Sequence, residues 1–193
     1  MRIAVPMSFE SPWSIEVARR LAELGHEVHA IDFSLPHDES AVNLSTAEWI
    51  GPREALNGIA HQHVLRFSAN HKLRYLACAR SMRKILRRHR IQIVLALSAS
   101  GFAAMTYLTG FRPYAVYTTG SDVLAVAGFK RIVTKYLLSH AACIFSNGMY
   151  LRDRTAELCC RGDVQALYLG VDTNRFSPGP EKTDRPVQIL ASR

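Results

Sequence analysis

Apolar and polar positions follow two alternating periods along the chain. Ile3 to Val5 is a short apolar run, and a polar loop follows it. From Ser11-Pro12 onward, Ile15, Ala18, Leu21 and Ala22 recur at helical spacing. Ser11 is placed to cap this helix. Pro12 suits its first turn, where a missing N–H is no loss. Gly25 closes it, and His26 to Ile31 alternates as a strand does. The three pieces form a βαβ unit, which predicts a parallel sheet with right-handed crossovers. Residues 34–58 are polar, carry Pro36 and Pro52, and read as a long excursion. His63 to Phe67 predicts a strand and Asn70 to Arg90 a long helix with Leu73, Leu76, Ala77 and Ile85 on its apolar side. Ile91 to Leu97 is a near-continuous apolar run, the pattern of a strand buried on both faces. The alternation continues with helices over 101–108, 123–139 and 150–158 and strands over 114–117, 143–145 and 164–168. Residues 170–186 read as a linker. Residues 187–193 begin another strand without a helix of its own, the expected start of a second domain that is cut short. The whole pattern predicts an α/β fold, a doubly wound and mostly parallel sheet over 1–169.

Composition narrows the class. Hydrophobic residues at 48% and charged residues at 21% are globular values and exclude disordered and coiled-coil chains. Cys78, Cys143, Cys159 and Cys160 form no CxxC pair, so neither a zinc ribbon nor a disulfide framework is expected. The opening Met1 to Trp13 lacks the pattern of a secretory signal. No apolar run reaches the roughly 18 residues a membrane span requires. The longest stretch, over 91–111, is broken by Gln92, Ser98, Ser100, Gly101 and Gly110. A cytoplasmic location is therefore expected.

The net charge of +8 is unevenly held. No Asp or Glu stands between Glu54 and Asp122, while that interval holds ten basic residues, six of them from Arg80 to Arg90. The rest of the chain carries 14 basic and 16 acidic residues, so the excess belongs to one segment, mostly the helix predicted over 70–90. Such a face can be merely solvated, can lie on anionic lipid, or can steer an anionic substrate. Nucleic acid is not expected, because no aromatic residues interleave the cluster to stack on bases.

In an open doubly wound sheet, ligands bind beyond the carboxyl ends of the strands. Four loops qualify: Met7–Ser11, Ser98–Gly101, Thr118–Asp122 and Ser146–Gly148. Each is rich in Ser, Thr, Asn or Gly and precedes a predicted helix, whose free N–H groups suit anionic or hydroxyl-rich ligands. The alternative for any one residue is plain helix capping. No GxGxxG follows the first strand, and neither a P-loop nor a GxSxG elbow occurs. His61 and His63 can share a strand face, but no third ligand accompanies them in the sequence, so no metal site is expected.

Three segments resemble the amino-terminal half of GT-B glycosyltransferases of family 4. Ile15 to Val28 is similar to the family's LAxxLxxxGHEV entry, and Gly120-Ser121-Asp122-Val123 to its HGSDV turn. Ala142 to Ser146, with Gly170 to Pro178, resembles its AD-apolar-S strand and GVDxxxFxP segment. The resemblance implies two Rossmann-like domains across a cleft, an acceptor-binding one over 1–169 and a donor-binding one that starts at 187–193. It further implies a retaining transfer of sugar from a nucleotide diphosphate to an acceptor hydroxyl. Nucleotide-sugar serves as donor substrate, with no cofactor and no metal.

By that resemblance Thr119 and Asp122 are the candidate catalytic residues. Ser98, Ser100, Gly120, Ser121, Ser146 and Asn147 would bind acceptor, and Ser11, Pro12 and Arg193 would face the donor phosphate. The sequence departs from the family in four places. Ser11-Pro12 replaces paired glycines, Thr119 the histidine, Leu169 an asparagine, and Ser192 the glycine before Arg193. A threonine can hydrogen-bond a sugar hydroxyl but cannot act as a base near neutral pH. The implied chain is the acceptor-side half of the enzyme and is inactive alone. Its acceptor would be anionic or lipid-linked, and the basic helix would rest on the inner membrane face. The rival readings are a nucleotide-sugar epimerase of the same architecture and a non-enzymatic α/β binding module.

Overall fold

The computed structural model describes residues 1–9, 11–32, 58–65 and 71–170, the side chains of 71–75 excepted. Among them are β1 (Arg2–Met7), β2 (Glu27–Asp32), β3 (His61–Val64), β4 (Ile93–Ala96), β5 (Tyr114–Thr118), β6 (Cys143–Ser146) and β7 (Gln165–Ala166). They pair in parallel throughout, in the order β3-β2-β1-β4-β5-β6-β7. The helices are α1 (Pro12–Glu23), α2 (His71–Arg88), α3 (Gly101–Leu108), α4 (Ser121–Leu124), α5 (Gly128–Ser139) and α6 (Met149–Cys159). This is the Rossmann-like α/β arrangement. Its strand order reverses between β1 and β4, which opens a crevice at their carboxyl ends.

Side chains alternate across the strands and build one core on each face. Ile3, Val5, Met7, Val28 and Ala30 pack with Ala18 of α1 on one side. Ala4, Ile31, Val94, Val116 and Ile144 pack on the other, against α2, α3, α5 and α6. Tyr114 is fully buried there and donates its hydroxyl to the Leu137 carbonyl at 2.5 Å. Burial pushes that phenol up to about 12, so it stays a neutral donor.

Four sequence expectations are corrected. The helix expected over 123–139 is two helices, because Ala127 is extended (φ −135°, ψ 165°) and interrupts the turn between α4 and α5. β3 begins two residues earlier than its apolar content suggests. Pairing with β2 sets its bounds, with His29 opposite His61 and Ile31 opposite His63. On α2 Ile85 packs against the core as expected, but Leu76 is exposed and the fully buried stripe is Cys78, Ala79, Met82 and Leu86; the Leu73 side chain lies outside the described residues. Finally, β4 is not buried on both faces: Val94 and Ala96 are covered, Ile93 and Leu95 only half so. The linker and second-domain strand expected after Gly170 lie outside the described residues.

Candidate functional site

The four loops named from the sequence follow β1, β4, β5 and β6, which are neighbours in the sheet. They therefore form one rim, and the first two flank the point where strand order reverses. Asp122 joins two of them. Its carboxylate is buried and accepts from the Ala99 amide at 2.7 Å through one oxygen. Through the other it accepts from the amides of Thr119 at 3.0 Å and Gly120 at 2.9 Å. The Thr119 hydroxyl also reaches that second oxygen, at 3.4 Å. Every one of these partners donates, as an ionised carboxylate requires. Asp122 thus ties the β4–α3 loop to the β5–α4 loop, and Gly120 (φ +134°) supplies a backbone turn that a side chain would strain.

The fourth loop, after β6, is tied to β5 and α6. Thr118 donates its hydroxyl to Ser146 at 2.8 Å, and Ser146 donates to Thr155 at 3.2 Å, all three fully buried. Asn147 is exposed. Its amide N–H bonds the Thr118 carbonyl at 3.1 Å, and its side-chain oxygen accepts from Leu169 at 3.3 Å. Gly148 (φ +98°) lies under the Tyr168 ring, which a Cβ would approach to 3.2 Å. The Tyr168 hydroxyl accepts from the Met149 amide at 3.3 Å. Tyr117 donates to the Leu167 carbonyl at 2.9 Å, and burial pushes its phenol up to about 12.

Ser98 and Ser100 bond each other at 2.9 Å, Ser98 half-buried and Ser100 exposed. Ser121 is exposed and Thr119 half-buried. At the first loop Ser11 occupies the cap position of α1, but it makes no side-chain cap bond; its hydroxyl instead accepts from Ser14 at 3.0 Å. Pro12 stands exposed in the first turn. Thus Ser98, Ser100, Thr119, Gly120, Ser121 and Asn147 line one edge, while Ser146 and Asp122 sit behind it as supports. Arg193 lies outside the described residues.

Asp32 was not singled out in the sequence. It is buried at the carboxyl end of β2 and accepts from the Phe9 amide at 3.2 Å, so it ties the first loop as Asp122 ties the next two. An acid closing a strand at this edge was the available signal. A hollow of about 350 Å³ flanks the rim, lined by Val123, Leu124, Arg131, Tyr150, Arg154, Glu157 and Leu158.

Away from the rim, His61 and His63 do gain companions. His29 of β2 is fully buried, with Nδ1 3.2 Å from His63 Nε2 and Nε2 3.1 Å from Glu27 Oε1. His61 Nε2 lies 3.2 Å from the same Glu27 oxygen, and the His89 ring is 4.6 Å from that of His29. Burial, and then the rings of His29, His89 and His61, push His63 down to about 4. It is neutral at physiological pH.

A parallel sheet with one reversal and a polar loop rim beyond β1, β4, β5 and β6 defines a Rossmann-like α/β domain. The sequence pattern of Glycosyltransferase Family 4 matches residues 14–175, and the chain belongs to that family. No curated protein sequence matches it. Among solved structures it is similar to a glycosyltransferase from Rickettsia africae, with TM-score 0.64 and 15% identity over 95% of this chain and 46% of that one. It is also similar to HepE of Anabaena in complex with UDP and glucose, with TM-score 0.64 and 14% identity over 93% and 47%. A UDP-N-acetylglucosamine 2-epimerase from Rickettsia bellii matches at TM-score 0.58 and 11% identity over 86% and 44%. The fold is that of the amino-terminal half of GT-B glycosyltransferases, and the chain spans about half the length of these structures.

Proposed function

We propose that this domain holds the acceptor in a two-domain glycosyltransferase. The enzyme moves a sugar from a nucleotide diphosphate to an acceptor hydroxyl with retention at the anomeric carbon. The observation that carries this reading is the Asp122 staple. It fixes the backbone of Ala99, Thr119 and Gly120 in one arrangement on the rim of a family 4 domain. Rigid backbone beside small hydroxyl side chains suits a polyhydroxylated ligand, whose binding depends on the placement of many weak hydrogen bonds.

In this reading Thr119 and Ser121 accept from or donate to sugar hydroxyls, Ser98, Ser100 and Asn147 extend the acceptor surface, and Asp122 is a positioning residue. Thr119 is no base, so the acceptor proton would leave to the departing diphosphate. The nucleotide-sugar approaches from the other side of the cleft, near the amino end of α1 at Ser11 and Pro12. Positive charge or N–H groups there would stabilise the leaving diphosphate. Arg193 is assigned the same task from the donor side. The division into an acceptor domain over 1–169, a linker over 170–186 and a donor domain from 187 belongs to this proposal. A location at the inner membrane face belongs to it as well.

The test uses the complete gene product with a panel of nucleotide-sugars and hydroxyl acceptors. Release of nucleoside diphosphate that depends on acceptor is the expected result, and Thr119→Val should raise KM for acceptor more than it lowers kcat. Interconversion of a nucleotide-sugar without acceptor would establish the epimerase reading instead.

A further inference from the structure

Four of the eight histidines, far apart in sequence, gather at the β3 edge of the sheet. His29 shares its face of β2 with Ile31, which packs with Met82 and Leu86 of α2. His61 and His63 project from β3 in register with His29 and Ile31. His89 follows the last turn of α2 and brings a third element to the same place.

We propose that His29, His63 and His89 form a binding site for a divalent transition-metal cation of the zinc type, with Glu27 as its outer carboxylate. One nitrogen from each of the three imidazoles lies within 4.8 Å of the others. Zinc–nitrogen bonds of about 2.0–2.1 Å place the donors of a tetrahedral site roughly 3.3 Å apart. His29 Nδ1 and His63 Nε2 already stand at 3.2 Å. A nitrogen of His89, within 4.8 Å of both, completes the set.

Glu27 sets the tautomer that such a site needs. Its Oε1 is 3.1 Å from His29 Nε2, so that nitrogen carries the proton and donates. Nδ1 of His29 is then the nitrogen with the free electron pair, and it is the one aimed at His63. A carboxylate behind a ligating histidine is the usual outer support of a metal imidazole. The carbonyl end of α2 adds negative potential beside His89. The arginines of that turn, Arg87, Arg88 and Arg90, are exposed, whereas His89 is half-buried. Imidazole donors suit zinc, copper and nickel ions, and three protein ligands leave the fourth position open to water. The cation would clip β3, the edge strand, to β2 and to the end of α2. Its role is independent of sugar transfer.

The test is a titration of the chelator-treated chain with Zn²⁺ against a chromophoric chelator, alongside Co²⁺ as a spectroscopic substitute. One equivalent of Zn²⁺ should bind, Co²⁺ should give the visible bands of a low-coordinate nitrogen site, and Tm should rise with Zn²⁺. His63→Gln and His89→Gln should each weaken binding at least tenfold. Glu27→Gln should weaken it by about tenfold, and His140→Gln should leave it unchanged. Absence of a Zn²⁺ equivalent and of cobalt bands in the unaltered chain overturns the site without recourse to any variant. Loss of binding in His61→Gln but not in His89→Gln overturns this ligand set.

Discussion

At the residue scale the middle of the rim depends on the buried carboxylate of Asp122. Asp122 accepts three amide hydrogens from two loops and has no cation against it among the described residues. Asparagine matches its shape but offers only one accepting atom, so an NH₂ group would face an N–H. Asp122→Asn is expected to cost about 1–3 kcal/mol in urea unfolding, the penalty of unsatisfied buried groups. It should also speed hydrogen exchange at Ala99, Thr119 and Gly120 while the amides of β1 and β2 stay protected. Unchanged exchange at those three amides would show that the loops are held by something else. Asp122 was legible in the sequence as a cap or an orienting group, because GSDV is a local pattern. The Ala99 contact was not, since it joins loops 23 residues apart. Asp32 and the buried Thr118–Ser146–Thr155 chain were hidden for the same reason. Ser146 reads as a loop residue in sequence, but strand pairing turns it inward.

At the element scale α2 carries the chain's excess charge. Arg80, Arg83, Lys84, Arg87, Arg88 and Arg90 are all exposed, on or just beyond a helix whose other side is buried through Cys78, Met82 and Leu86. Among the described residues no helix is long and apolar enough to cross a membrane. A basic surface of this kind attracts anionic bilayers by about 1 kcal/mol per residue near the surface, and salt screens it. The chain should therefore sediment with vesicles containing phosphatidylglycerol at low salt, release at high salt, and ignore phosphatidylcholine vesicles. Replacing Arg83, Lys84, Arg87 and Arg88 by Gln should reduce sedimentation at least tenfold. Equal sedimentation of the replaced and original chains would assign the face to solvation alone. The helix was plain in sequence because of its length and charge; of its expected apolar side Ile85 does pack against the core, whereas Leu76 is exposed. The apolar residues at 73, 76, 77 and 85 outline a broad band, and packing against β2 and β4 selects only part of it. The interruption between α4 and α5 was likewise invisible, since no proline stands at 125–127.

At the scale of the whole molecule, parallel order and chain reversal were legible from alternating periods, and the resemblance in the GHEV and GSDV segments pointed to the family. The histidine cluster was not legible, because it is assembled by the β2–β3 register and by the end of a distant helix. The largest consequence concerns activity. The chain spans about half the length of the glycosyltransferase structures it resembles, and the proposed transfer needs groups on both sides of a cleft. In that proposal the rim binds the acceptor hydroxyl, and the groups that hold the diphosphate come mostly from the opposite side of the cleft. Stabilisation of that developing charge is commonly the largest part of catalysis. The chain by itself is therefore expected to release no nucleoside diphosphate above the buffer rate from any nucleotide-sugar, with or without acceptor. Sugar acceptors should still perturb the amide resonances of Ser98, Ser100, Thr119 and Ser121. Turnover by this chain alone would place the donor site within residues 1–193 and remove the two-domain proposal. Perturbations confined to the far side of the sheet would remove the rim instead. The two halves of the reading thus fail by separate measurements on the same sample.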